Sequence, residues 1–279
     1  MKFLSARKLT AILSVSLILA LLITACTPAQ TQTESSTLKV KVGASPVPHA
    51  EILAYIRDNL AAAAGLEIEI VEFTDYVQPN LALNDGQLDA NFFQHLPYLE
   101  NFNANRGTDL VSIANVHIEP LGIYSKTITD LSQVPDGAVV IIPNDDTNGG
   151  RALNLLAANG FITLKPDADF SATVADIADN PKNLKISELE AAQLVRALDD
   201  AVLAVINGNY ALEGGLIPSK DALALESSEN NPYVNILAVK RGSENDEAIL
   251  ALVKLLTSAE VKAFIEEKYA GSVLPAFGK

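Results

Sequence analysis

The sequence predicts an α/β protein built on mainly parallel sheet. Three observations predict it. Short alternating or wholly apolar runs of strand length recur along the chain, segments with apolar residues at helical spacing lie between them, and polar, glycine-bearing loops follow several of the runs. In such sheets ligands sit at the carboxyl ends of strands, so those loops are where a site is expected.

The elements follow in order. Leu38 to Val42 alternates as a strand, Gly43 to Pro48 interrupts it, and Ile52, Leu53, Ile56 and Leu60 then recur as one face of a helix. Leu66 to Val71 alternates again as the next strand. Leu110 to Val116, Ala138 to Ile142 and Ala201 to Ile206 are apolar runs suited to buried parallel strands. Ser187 with Glu190, and Thr257 with Glu260, match the capping box that opens a helix. Ile249, Leu252, Val253 and Leu256 form one apolar helical face near the C-terminus.

The N-terminus addresses the chain. Lys2, Arg7 and Lys8 precede the run Leu9 to Ile23, which is too short to span a bilayer well, so residues 1–25 read as a cleaved export signal. Leu22-Ile23-Thr24-Ala25-Cys26 holds the only cysteine and resembles the bacterial lipobox, whose cysteine is lipidated and becomes the new N-terminus. Residues 26–37 carry no apolar periodicity and read as a flexible linker. The reading is thus a body tethered to a membrane through acylated Cys26.

Composition bounds that body. The formal charge is −14, and loss of the three basic signal residues takes it to −17. So acidic a surface repels nucleic acid and anionic lipid, which are excluded as partners. With Cys26 lipidated no disulfide can form, and 49% hydrophobic content supplies a core without one.

Three loops carry candidate site residues. Pro143 to Arg151 follows one apolar run, and the spacing puts Arg151 in the first turn of the next helix, where amides and dipole favour an anion that Arg can grip with two prongs. Taken alone, this loop reads equally as a Gly-rich turn with a surface Arg. Asn207 to Tyr210 follows another run; its Asn side chains suit an ammonium beside a carboxylate, although Asn-Gly is also simply a good turn. Asp89 to Tyr98, with Phe73, Asp75 and Tyr76 upstream, places aromatic beside polar groups and can wall an apolar pocket; for any one of these residues, ordinary core packing is the simpler reading.

Taken together these stretches resemble the methionine-binding lipoprotein family. The resemblance is carried by Val42 to Pro46 with Pro48 to Leu53, Asp75 to Asn80, Leu88 to Tyr98, Ile118 to Ser125, Ile142 to Arg151, Ile206 to Leu212 and Val273 to Phe277. It covers nearly all of the chain after the linker, in order. It implies an extracytoplasmic substrate-binding lipoprotein of an ABC importer, not an enzyme, with no cofactor. The fold implied is a two-lobed periplasmic-binding-protein fold with crossovers near Glu119-Pro120 and Pro232-Tyr233. Residues 38–119 plus 233–279 would form one lobe and 120–232 the other.

By motif, Arg151 would hold the ligand carboxylate, Asn209 and Asn235 its polar end, and Tyr76, Phe93, His95 and Tyr98 its side chain. A thioether packs well beside rings, so such a pocket suits methionine. Permease and ATPase subunits would be separate chains, since no G-x-x-x-x-G-K-[ST] occurs here. A monomer on the outer face of the cell membrane, periplasmic where the host has an outer membrane, is the expectation. Pro46-Val47-Pro48 replaces the more usual Pro-Gly-Pro, and Leu121 stands where the family often has Met. These departures leave L-methionine, D-methionine, a methionine dipeptide or another small amino acid open as cargo.

Two rival classes are weaker. His49, His95 and His117 with one carboxylate would make a zinc-carrying importer subunit, but their spacing is not clustered. A hydrolase lacks G-x-S-x-G, H-E-x-x-H and a free thiol.

Overall fold

The computed structural model describes residues 37–168 and 170–278. The export signal, Cys26 and the linker up to residue 36 lie outside the described residues. Among the described residues no helix is long and apolar enough to cross a membrane.

Strand β1 (Leu38–Ala44) and β2 (Leu66–Glu72) pair in parallel from Leu38 opposite Leu66 to Ala44 opposite Glu72. Their alternation sends Val40, Val42, Leu66 and Ile68 inward, while Lys39–Glu67 and Lys41–Glu69 pair at 2.9 and 2.8 Å on the wet face. The strand runs through Gly43 and Ala44 before the chain turns, two residues beyond the expected break. Helix α1 (Glu51–Asn59) lays Ile52, Leu53 and Ile56 on this sheet beside Ile249, Leu252 and Leu256 of α8 (Glu247–Leu256) and Val261 and Ile265 of α9 (Ala259–Tyr269). The opposite face is covered by α2 (Gln78–Asn84) and α3 (Leu96–Arg106), through Leu83, Leu99 and their neighbours.

The first sheet also holds β3 (Ala90–His95), β4 (Leu110–Ile118), β12 (Val234–Lys240) and β13 (Leu274–Pro275), in the order β13-β4-β12-β3-β1-β2. A second sheet runs β11-β5-β10-β6-β9: β5 (Gly122–Tyr124), β6 (Val139–Pro143), β9 (Lys185–Leu189), β10 (Leu203–Ile206) and β11 (Ala224–Leu225). A small pair, β7 (Thr163–Leu164) with β8 (Ile177–Asp179), stands apart. In the second sheet Val140 and Ile142 face one core and Ile141 the other, as do Leu203 and Val205 against Ala204 and Ile206. A strand buried on both faces therefore reads as an unbroken apolar run.

The α/β class and its neighbours' two-lobed fold match the expectation. The sheets themselves are mixed rather than mainly parallel. Parallel pairing holds for β2-β1-β3 and β10-β6-β9, whereas β3-β12, β12-β4, β4-β13, β10-β5 and β5-β11 are antiparallel. Leu110 to Val116 is thus antiparallel to its neighbours, and it is buried only at Leu110 and Val116, with Asn115 exposed, rather than buried along its length. The reason is topological: the chain leaves the first sheet between Ile118 and Gly122 and returns between Leu225 and Val234, and strands at each crossing run against their neighbours.

Both capping boxes are displaced. Ser187 lies within β9, where the open edge of β6 takes up Lys185–Leu189 in parallel register. At the other, Ser258 caps α9 by accepting from the Val261 amide at 3.3 Å, and Thr257 closes α8 by donating to the Val253 carbonyl at 2.8 Å. With two hydroxyls adjacent, the residue with extended backbone, Ser258, becomes the cap.

Candidate functional site

Each strand that ends between the two sheets delivers polar side chains. At the end of β3, His95 caps α3: its Nδ1 accepts from the Tyr98 amide at 3.1 Å. That bond leaves the proton on Nε2, which donates to Asn148 Oδ1 at 3.1 Å, so the ring is neutral. Burial, with Arg151 adding to it, lowers the His95 pKa to about 3.

After β6 the chain enters α4 (Asp146–Ala158) at once. Asp145 is the cap, its Oδ1 accepting from the Asn148 amide at 2.9 Å. The expected loop is therefore already helix, and Arg151 sits in its second turn, not its first. Gly149 and Gly150 serve close approach rather than a turn. A Cβ on Gly149 would lie 3.0 Å from the Pro143 carbonyl, and one on Gly150 would collide with the Phe170 backbone. Asn148 and Arg151, three residues apart, share a helix face.

Arg151 is 4% exposed and fully engaged on one edge. Its Nε donates to Glu226 Oε1 and Oε2 at 2.9 and 3.1 Å, and its Nη2 donates to Glu226 Oε2 at 2.5 Å and to the Glu119 carbonyl at 3.0 Å. The Tyr233 ring lies against its face, 4.3 Å from centroid to guanidinium carbon.

After β10, Asn207 caps α6 (Gly208–Glu213). Asn207 Nδ2 donates to Asn148 Oδ1 at 2.9 Å, and Tyr76 Oη donates to Asn209 Oδ1 at 2.5 Å. Asn207 Oδ1 and Asn209 Nδ2, an acceptor and a donor, are buried without a partner. Such atoms are costly unless something else satisfies them.

Glu119, just past β4, is the second charged group and is also buried. Its Oε1 accepts from His117 Nε2 at 2.7 Å and faces His49 Nε2 at 3.3 Å; His49 Nε2 also donates to Asn235 Oδ1 at 2.9 Å. Burial raises the Glu119 carboxyl, opposed by His49, Arg151 and the Asn209 amide. Burial lowers the pKa of His49 to about 4 and that of His117 to about 3, so both rings are neutral. Gly208 makes room for this carboxylate, since a Cβ there would sit 2.7 Å from Glu119 Cβ.

These side chains enclose one cavity, lined by Tyr76, Phe93, Gln94, His95, Tyr98, Glu119, Asn148, Arg151, Asn207, Asn209 and Asn235. Tyr76, Phe93 and Tyr98 form its aromatic wall, with ring centroids 5.7 to 6.2 Å apart. Only about 20 Å³ of the cavity admits the centre of a water, about enough for one. The walls are nearly closed on one another.

The structure thus brings Arg151, Asn209, Asn235, Tyr76, Phe93, His95 and Tyr98 to one place. It separates the three histidines: His49 and His117 gather with Glu119, their donor atoms within 4.8 Å, while His95 pairs with Asn148 instead. The Nε2 proton of His117 goes to Glu119 Oε1 and that of His49 to Asn235 Oδ1, so His117 holds the carboxylate and His49 holds the neighbouring amide. Sequence reasoning missed Glu119 and Glu226 as site groups. An acidic residue closing the run Val116-His117-Ile118 was the signal for the first; nothing in the sequence marked the second.

A sequence profile of the NlpA lipoprotein family matches residues 40–277. The methionine-binding lipoprotein MetQ of Bacillus subtilis is 43% identical over 248 residues, covering 87% of this chain and 89% of that one. A nutrient-binding protein from Burkholderia cenocepacia, solved bound to methionine, superposes with a TM-score of 0.83 at 46% identity, covering 85% of this chain and all of the other. A periplasmic substrate-binding protein of an ABC transporter from Coxiella burnetii gives 0.81 at 43% identity, over 85% of this chain and all of its own.

Proposed function

The chain belongs to the NlpA lipoprotein family, and from that premise we propose that it captures methionine between two lobes and hands it to an ABC importer. One observation carries the reading: a single buried cavity offers a cation at Arg151, an anion at Glu119 and an aromatic wall at Tyr76, Phe93 and Tyr98. A zwitterion with an apolar, polarizable tail is complementary to those three features together. Its carboxylate meets Arg151 and the Asn209 Nδ2 donor, its ammonium meets Glu119 and the amide oxygens of Asn207 and Asn235, and its thioether lies among the rings beside His95. Asn207 Oδ1 and Asn209 Nδ2 then gain partners.

Residues 38–119 with 233–279 make one lobe in this reading, and residues 120–232 the other. Because the walls nearly touch, ligand enters an opened form and its contacts to both lobes favour closure. Lipidated Cys26 holds the protein, as a monomer, on the outer face of the cell membrane, where it meets permease and ATPase subunits.

Calorimetric titration of ligand-stripped protein with L-methionine, D-methionine, glycyl-methionine, leucine and zinc tests this. The expected result is saturable heat with a form of methionine and weaker binding of leucine. No heat with any methionine form, or stabilisation by zinc alone, overturns it.

A further inference from the structure

We propose that Glu226 is a positioning residue that holds the Arg151 guanidinium so that only its outer amino group faces ligand. The inference rests on the reading of Arg151 as the carboxylate holder. Arginine has five N–H donors in a fixed plane. The Nε hydrogen lies between the two Glu226 oxygens, and the Nη2 hydrogens go to Glu226 Oε2 and to the Glu119 carbonyl. The two Nη1 hydrogens are what the side chain has left to offer. The two-pronged grip on ligand expected for this arginine is therefore spent on Glu226, and the ligand carboxylate is met by Nη1.

Glu226 acts from behind. It does not line the cavity, whereas Arg151 and Glu119 do. Its own place is set by the backbone: its amide donates to the Leu121 carbonyl at 2.9 Å, and its Oε2 receives the Leu121 amide at 3.4 Å. Tyr233, stacked on the guanidinium face, comes from the same returning segment between the sheets. Edge and face of Arg151 are thus both fixed by the stretch that carries the chain back to the first sheet. A guanidinium clamped in this way needs little reordering when ligand arrives. The carboxylate also keeps the buried cation neutralised while the cavity is empty.

The experiment compares Glu226→Gln and Glu226→Ala with wild type on two ligands, L-methionine and methioninamide, which lacks the carboxylate. The expected result is a loss of roughly tenfold or more for methionine with less than about threefold for methioninamide. In an Arg151→Gln background, Glu226→Gln has no further effect. Equal losses on both ligands, which a general loosening of the fold would produce, overturn the proposal. So does methionine affinity that is unchanged or raised, because Glu226 would then be opposing the ligand carboxylate. Glu226→Asp, which draws the carboxylate back by one methylene, replaces the alanine variant if the latter fails to fold.

A ligand-free readout separates this proposal from the function above. The Arg151 Nε–H resonance exchanges slowly with water in wild type and fast in Glu226→Gln. Fast exchange in wild type overturns the strut whatever the ligand is. Slow exchange in a wild type that binds no form of methionine supports the strut and overturns the function instead.

Discussion

Replacing Glu119 by Gln removes one negative charge and little volume, and the surroundings set what this costs. The carboxylate is 5% exposed, with Oε1 held by His117 Nε2 at 2.7 Å and His49 Nε2 lying 3.3 Å from it. The Asn209 amide also bonds this carboxylate, and a ligand ammonium would add to these contacts. Removing one partner of a buried charged pair costs about 3–5 kcal/mol, and the lower desolvation cost of a neutral amide returns part of it. A net loss of about 2–4 kcal/mol corresponds to roughly 30- to 700-fold weaker methionine binding. Calorimetry with methionine and with 4-(methylthio)butanoate, which lacks the ammonium, isolates the contact. The wild type should prefer methionine strongly, and Glu119→Gln should bind the two with similar, weak affinity. Methionine affinity within threefold of wild type refutes the assignment.

The pH dependence follows with a definite sign. Burial lifts the Glu119 pKa above its ordinary 4.5, and ligand needs the ionised form. Methionine affinity therefore falls as pH drops below that raised value, by up to about tenfold per unit, and Glu119→Gln loses this slope.

Three further outcomes are expected. Gly208→Ala pushes a methyl against Glu119 Cβ and should weaken methionine binding while leaving far-ultraviolet circular dichroism unchanged; unaltered affinity counts against the close approach. His49, His95 and His117 are neutral when folded, with pKa values lowered to about 4, 3 and 3 from 6.5, so the unfolded chain binds more protons as pH falls below about 6.5. Their stabilisation is complete above that pH and is lost toward pH 4, at up to about 4 kcal/mol per unit, reduced by the raised carboxyls of Glu119 and Asp145; a urea midpoint equal at pH 7 and pH 5 refutes it. Ala270, at φ +44° beyond α9, occupies the left-handed region that glycine prefers, so Ala270→Gly should raise stability by about 1 kcal/mol in denaturant unfolding.

Much of the fold was legible because burial writes itself into the residue pattern. Ala138 to Ile142 and Ala201 to Ile206 read as buried parallel strands, and their centres, Val140 to Ile142 and Leu203 to Ile206, are strand buried on both faces, the second parallel to one neighbour only; Ile249, Leu252 and Leu256 read as one face of a helix and pack that way. Strand direction was not legible: an apolar run such as Leu110 to Val116 carries no sign of whether its partners run with it or against it. Ser187 misled because a four-residue capping pattern is local, while the open edge of β6 that recruits it into β9 is not.

By itself the sequence determined an acidic α/β body, an N-terminus that reads as an export signal and the stretches whose loops carry polar residues, because periodicity, charge and signal composition are properties of neighbours along the chain. Only the tertiary structure decided that Arg151 spends its bidentate edge on Glu226, 75 residues away, and that neutral His117 holds Glu119 while His49 is turned to Asn235. Those contacts join strand ends and crossing segments that are remote in sequence, and the direction in which a buried charge points is set by the partner that packing brings to it.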